Sequence, residues 1–277
     1  MQEKQAVGSV PASGAIRRVC LSGDGQLLAT LHADPPYVRL CSIPTLTPIE
    51  PAPNTDSPPE VLLPAPDQQH IWGVVPLQNR LQIVEFPGGT EKDPCLVTGS
   101  WSCLTGAHVG GYLALAGCDA EKQNWRLVKW QMDASSPEEE LLAGAVCSLA
   151  ISKGRIVALG GYGPDLGVQV YLTPGKPPLR LDEDKPDDRL YYHVVGISAD
   201  ENYVFAISRY IPLPEDPKPE HAVLRVWTIT DETRVKEVRR PCLTNDKLPA
   251  VEAVIFLPDQ QRFLLATGHT VEVWTLK

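Results

Sequence analysis

A short phrase recurs along this chain: an apolar residue, a polar one, an apolar one, then an aromatic residue or cysteine before a turn. It reads Val38-Arg39-Leu40-Cys41-Ser42-Ile43 near the start and Val168-Gln169-Val170-Tyr171-Leu172 in the middle. It returns as Leu224-Arg225-Val226-Trp227-Thr228-Ile229 and once more as Val271-Glu272-Val273-Trp274-Thr275-Leu276. Alternation with a period of two is the pattern of a strand with unlike faces. A strand that returns every ~40–50 residues marks a stack of like units, none of which buries its apolar face alone.

Two further apolar stretches precede each phrase, so a unit reads as three strands and a weaker fourth. In the first unit Arg18-Val19-Cys20-Leu21 leads into the turn Ser22-Gly23-Asp24-Gly25, and Leu27-Leu28-Ala29-Thr30 follows. Asp-Gly between apolar runs predicts a tight hairpin, since both central positions tolerate positive φ. The units span about 15–50, 60–99, 100–144, 145–190, 191–240 and 250–277. Prolines cluster in the gaps, as in Pro51-Ala52-Pro53 and Pro212 to Pro219, where no ladder hydrogen bond is lost. The spacing fits four-stranded propeller blades, so the expectation is one all-β domain over 1–277 with six blades. Seven blades, with one unit unrecognised, is the alternative. The last unit ends after its third strand. The strand-length segment 5–10 is predicted to supply the fourth and close the ring, because a bare edge invites aggregation.

The order of apolar strand, Ser/Pro-Asp-Gly-like turn, Leu-Leu-Ala-Thr strand and Val-Arg-Val-Trp strand resembles WD40 repeats over most of the chain. The best matches are Leu21 to Ile43, Ile197 to Ile229 and Ile255 to Leu276. The chain departs from the family in two ways. No unit has Gly-His before its first strand, and Trp227-Thr228 and Trp274-Thr275 stand where Trp-Asp would be. These departures put the His–Ser/Thr–Asp–Trp hydrogen-bond network of the family in question here. The resemblance is therefore to a degenerate WD40-like propeller. It implies a platform for protein–protein interaction without catalysis, engaged through loops on one face or the mouth of the channel.

Composition narrows the partner. A formal net charge of −9 argues against nucleic acid and anionic membranes, since phosphate neutralisation supplies most of such affinity. The seven cysteines form no C-x-x-C pair and several lie inside apolar strand phrases, as expected of a reducing cytoplasm. The first residues lack the apolar core of a secretory signal. No stretch approaches the ~20 apolar residues of a membrane span. The partner expected is another protein or peptide, with a small molecule left open.

Chemistry-bearing motifs are scarce. The six histidines show neither H-E-x-x-H nor H-x-H spacing, and no G-x-S-x-G elbow occurs. Gly160-Gly161-Tyr162-Gly163 follows a strand but opens no helix, so it reads as a turn and not a phosphate loop. The acidic runs Asp182-Glu183-Asp184-Lys185-Pro186-Asp187-Asp188 and Glu138-Glu139-Glu140 read as solvated loops. Arg234 to Arg240 reads as an exposed outer strand. No catalytic residue, metal ligand or cofactor is expected. The insertion Arg209 to His221 stands out, because prolines hold it extended while Tyr210, Ile211 and Leu213 offer apolar anchors. His32, Tyr37 and Trp125, on or beside loops of the same class, complete the predicted partner-binding set. A metal-dependent hydrolase or lactonase is the alternative function, since six-bladed rings hold such sites on residues far apart in sequence.

Overall fold

The computed structural model describes residues 16–33, 36–43, 45, 47–49, 57–78, 80–88, 90–91, 99, 101–119, 124–132, 134, 136–154, 156–162, 166–173, 176–181, 190–198, 200–210, 223–231, 234–239, 251–256, 262–267 and 270–275. Among these the backbone forms six antiparallel sheets, each with its strands in chain order. The first holds β1 (Ile16–Leu21), β2 (Leu27–Ala33), β3 (Pro36–Ser42) and β4 (Thr47–Ile49). The second holds β5 (Val61–Pro64), β6 (Ile71–Pro76), β7 (Leu81–Phe86) and β8 (Thr90–Glu91). The third holds β9 (Ser102–Val109), β10 (Tyr112–Cys118), β11 (Trp125–Gln131) and β12 (Glu138–Leu142). The fourth holds β13 (Val146–Ile151), β14 (Val157–Gly161), β15 (Val168–Tyr171) and β16 (Leu179–Arg180). The fifth holds β17 (Leu190–Ile197), β18 (Tyr203–Tyr210), β19 (Val223–Asp231) and β20 (Arg234–Arg239). The sixth shows β21 (Val251–Phe256), β22 (Arg262–Thr267) and β23 (Thr270–Thr275). Segment 5–10, expected to complete it, lies outside the described residues. The chain clusters into two compact units, one running to Leu104 with 135–137, the other comprising Thr105–Ala134 and 138 onward.

Burial runs in a gradient across the third and fourth sheets. Among the described residues β10 and β14 are buried at every residue, and β6 of the second sheet at all but its last. Their sequences are continuous apolar runs, which is what a strand covered on both faces requires. The outer strands β4 and β12 are largely exposed. In the first unit Leu40, Ile71 and Phe86 join the first two sheets in one core. In the second unit Leu127 and Leu159 join the third and fourth, and Val170, Tyr192 and Trp227 join the fourth and fifth. Each such buried side chain contributes roughly 1.5–3 kcal/mol of transfer free energy.

Two turns between first and second strands, at Asp24 and at Asp200, share one construction. Ser22 donates its hydroxyl to Asp24 Oδ1 (2.5 Å), and Asp24 Oδ1 also accepts the Gln26 N–H (3.0 Å). The Leu27 N–H in turn donates to Ser22 Oγ (2.9 Å). Ser198, Asp200, Asn202 and Tyr203 repeat these three bonds at 2.6, 3.1 and 2.9 Å. The tight hairpin expected at Asp24-Gly25 joins β1 to β2. The Gly25 N–H closes a turn onto Ser22 O, and positive φ (70°) falls on Gly25 while Asp24 acts through its carboxylate. Gln68 (66°) and Glu201 (62°) take that left-handed position in two other turns.

Burial tends to raise the Asp200 carboxyl, but the Ser198 hydroxyl and the Asn202 N–H groups outweigh it and hold the group below the usual carboxylate range. A depressed folded value means stability contributed above the unfolded pKa of about 3.9 and lost as pH falls through the folded one. Asp200→Asn is therefore expected to unfold at lower urea than wild type at pH 7. The gap between the two should close on acidification below about pH 4.

Close backbone approach, within the fourth sheet at Gly161 and to the fifth sheet at Gly160, demands glycine at the end of β14. A Cβ on Gly161 would stand 2.3 Å from the Ala145 carbonyl oxygen, and one on Gly160 would stand 3.0 Å from that of Tyr192. Backbone atoms cannot swing aside, so Gly161→Ala is expected to cost about 1–3 kcal/mol by urea unfolding. Leu141→Ala, at a side chain 73% exposed, should change stability by no more than about 0.5 kcal/mol.

Candidate interaction surface

Four first strands carry the same irregularity near their starts. The register shifts between Ile16 and Arg18 in β1, Val146 and Ser148 in β13, Tyr192 and Val194 in β17, and Val251 and Ala253 in β21. Each shift skips one residue in the register: Arg17, Cys147, His193 and Glu252. Such bulges bend the strand and re-aim a side chain. In β17 the bulge lies within a cluster of rings. Tyr191 and His193 lie 5.8 Å apart between centroids, and Tyr162 lies 6.3 Å from Tyr191. Tyr162 is bridged to Tyr191 through the backbone and is 43% exposed.

The cluster sits on fixed backbone. The Tyr162 N–H donates to Ala145 O (2.8 Å), and the Val195 N–H donates to Ser148 Oγ (3.1 Å), which ties β13 to β17. Tyr162 opens the connection from second to third strand of its sheet, and Tyr191 follows the connection from a fourth strand to the next first strand. The first of these is the class of the insertion 209–221, which also joins a second strand to a third. Tyr210, the last residue of β18, pairs with Leu190 in register, beside the Tyr191–Arg209 pair. Its backbone therefore ends at the same edge of the fifth sheet as the rings. Ile211 and Leu213 lie outside the described residues.

The other nominated residues have different settings. His32 is only 1% exposed, which corrects the expectation of an accessible ring there. Its imidazole stacks on half-buried Tyr37 at 4.2 Å and 8°, with Nε2 2.9 Å from Thr30 Oγ1. His32 thus supports the Tyr37 ring from beneath. Trp125 is half-buried, pairs with Cys118 and Leu142, and packs against the core of the third and fourth sheets. His32 and Tyr37 belong to the first unit, Trp125 and Tyr210 to the second. Cys20, Cys41, Cys118 and Cys147 are free thiols, and burial pushes Cys20 up to about 12, which leaves it unreactive.

The charge runs resolve differently from one another. Residues 182–189 lie outside the described residues. Arg234–Arg239 forms the outer strand β20, as expected. Glu138, Glu139 and Glu140 form strand β12, which corrects the loop expected there. A partner strand supplies the reason: Arg126 reaches Glu139 at 3.6 Å, and buried Lys129 reaches Glu138 and Glu140 at 3.6 and 3.8 Å. Lys129 Nζ also lies 4.9 Å from the Tyr171 ring centroid, and the Tyr171 hydroxyl donates to Glu140 Oε1 (3.0 Å). Burial, with the Glu140 charge behind it, raises the Tyr171 phenol above its ordinary range.

Sequence reading missed one constellation altogether. Asp67, His70 and Glu85 bring one carboxylate oxygen each and an imidazole nitrogen within 4.8 Å of one another. Asp67 and His70 share a turn, but Glu85 arrives by strand pairing, opposite Trp72. Scanning for ligands at fixed spacing cannot see such a set.

No protein-family model matches the chain, and no curated protein matches its sequence. Solved structures do match. The Cps50 (Swd1) β-propeller domain of Myceliophteria thermophila is similar at a TM-score of 0.64 with 9% identity, over 96% of this chain and 84% of that one. Hydrazine synthase of Kuenenia stuttgartiensis is similar at a TM-score of 0.69 with 12% identity, over 100% of this chain and 80% of that one. At such identities the likeness concerns fold alone. The fold is that of a β-propeller. Among the described residues no helix is long and apolar enough to cross a membrane.

Proposed function

We propose that the six sheets are six blades of one propeller, closed by segment 5–10, and that the chain is a cytoplasmic protein-interaction scaffold without catalytic activity. The same fold hosts enzymes and binding modules, so the weight falls on the surface and not on the architecture. The observation that carries the reading is the Tyr162–Tyr191–His193 cluster. Rigid aromatic side chains lose little entropy on binding and dominate interface energetics. Tyr210, Ile211 and Leu213 extend this surface along the Pro-rich insertion, and the occupant is a protein or peptide with apolar anchors.

The test is copurification from the native host with wild type beside a Tyr162→Ala/Tyr191→Ala variant and a Tyr210→Ala/Ile211→Ala/Leu213→Ala variant. Hot-spot truncation costs about 2 kcal/mol or more per residue, so the first variant should lose its partner at least ~30-fold. A stoichiometric partner lost from the variants while their thermal midpoints hold supports the reading. A partner retained in full by both variants, or no specific partner for wild type, overturns it.

A further inference from the structure

The turn between β5 and β6 breaks the pattern of its counterparts. In the turns at Asp24 and Asp200 a serine hydroxyl occupies the aspartate and also takes the first N–H of the second strand. Ala65 stands where those serines stand, so this hydroxyl is missing. Asp67 replaces it with its own Oδ1, which accepts the N–H groups of Gln69 (2.9 Å) and His70 (3.0 Å). That leaves Oδ2 turned toward His70 Nδ1, 2.5 Å away. The turn has become a fixed carboxylate and imidazole facing one another.

The third group comes from the neighbouring strand. Glu85 lies opposite Trp72, and the Trp72 indole N–H donates to Glu85 Oε2 (3.2 Å). Asp67 is held by backbone donors and Glu85 by an indole. Such outer hydrogen bonds orient the ligands of metal sites. His70 and Asp67 remain 33% and 45% exposed, so an ion can reach them.

We propose that Asp67, His70 and Glu85 bind a divalent transition-metal ion of the zinc class. One imidazole nitrogen with two carboxylate oxygens suits Zn²⁺, whereas Ca²⁺ takes oxygen ligands in larger number. Zn–N and Zn–O bonds of about 2.0–2.2 Å in tetrahedral array put ligand atoms about 3.3 Å apart. The Asp67–His70 contact must therefore open by under about 1 Å, and Glu85 must close from within 4.8 Å. Three protein ligands leave the fourth position to water or to a donor from a bound partner. The site sits on the first unit, apart from the aromatic surface and independent of its role.

The experiment uses the full chain without an affinity tag, in a Cys147→Ser background that removes the exposed thiol as a competing ligand. Zn²⁺ binding is followed by calorimetry, and Co²⁺ by its visible absorption. One ion per chain is expected, with a rise in thermal midpoint on adding Zn²⁺ and none on adding Ca²⁺. His70→Gln and Glu85→Gln should each weaken binding at least tenfold and abolish the midpoint rise. Far-UV circular dichroism without metal checks that each variant folds. If His70→Gln fails to fold, Glu85→Gln alone decides. Equal affinity in the folded variants, no Zn²⁺ binding at about 100 µM, or a preference for Ca²⁺ overturns the proposal.

Discussion

Enclosure of the second strand on both faces is the constraint from which the rest of the structure follows. Runs such as Leu113-Ala114-Leu115-Ala116 and Val157-Ala158-Leu159 have no polar face to give to water. Such a strand needs a hydrogen-bonded neighbour on each side and packed side chains above and below. First and third strands supply the neighbours, and the adjacent sheets within a unit supply the packing. The fourth strand is left as an edge, and its composition suits that place: β4 carries Pro48 and β12 carries three glutamates, both of which discourage pairing with another chain. Gly160 follows from the same packing, because the fourth and fifth sheets cannot approach this closely with a Cβ between them.

The same rigidity accounts for where a surface can form. A bulge at the start of a first strand turns one residue away from the regular pleat. In β17 that residue is His193, whose ring lies beside Tyr191, itself beside Tyr162. The backbone around these rings is held by hydrogen bonds from the Tyr162 N–H to Ala145 O and from the Val195 N–H to Ser148 Oγ. His32 beneath Tyr37 shows the same economy in the first unit, where one buried ring sets the pose of its neighbour.

Much of this was legible from the residues alone. The alternating phrase located β3, β15, β19 and β23, and the apolar runs located β2, β6, β10, β14, β18 and β22, because periodicity and continuity record how many faces of a strand are covered. What escaped was whatever depends on a partner outside the local window. The glutamates of β12 read as a loop until Lys129 and Arg126 were seen opposite them. His32 read as a loop-side aromatic until its burial under Tyr37 was seen. Tyr162 and Tyr191, 29 positions apart, meet through a single bridge that no spacing rule announces. Asp67, His70 and Glu85 meet through a turn and a strand pair together.

Amide hydrogen exchange read by mass spectrometry tests the central claim most directly, because it reports how firmly each strand is enclosed. The account predicts the slowest exchange in β6, β10 and β14, intermediate exchange in the third strands, and fast exchange in β4 and β12. Second strands that exchange as fast as the outer ones would contradict it, since the sheets would then not be packed on both faces.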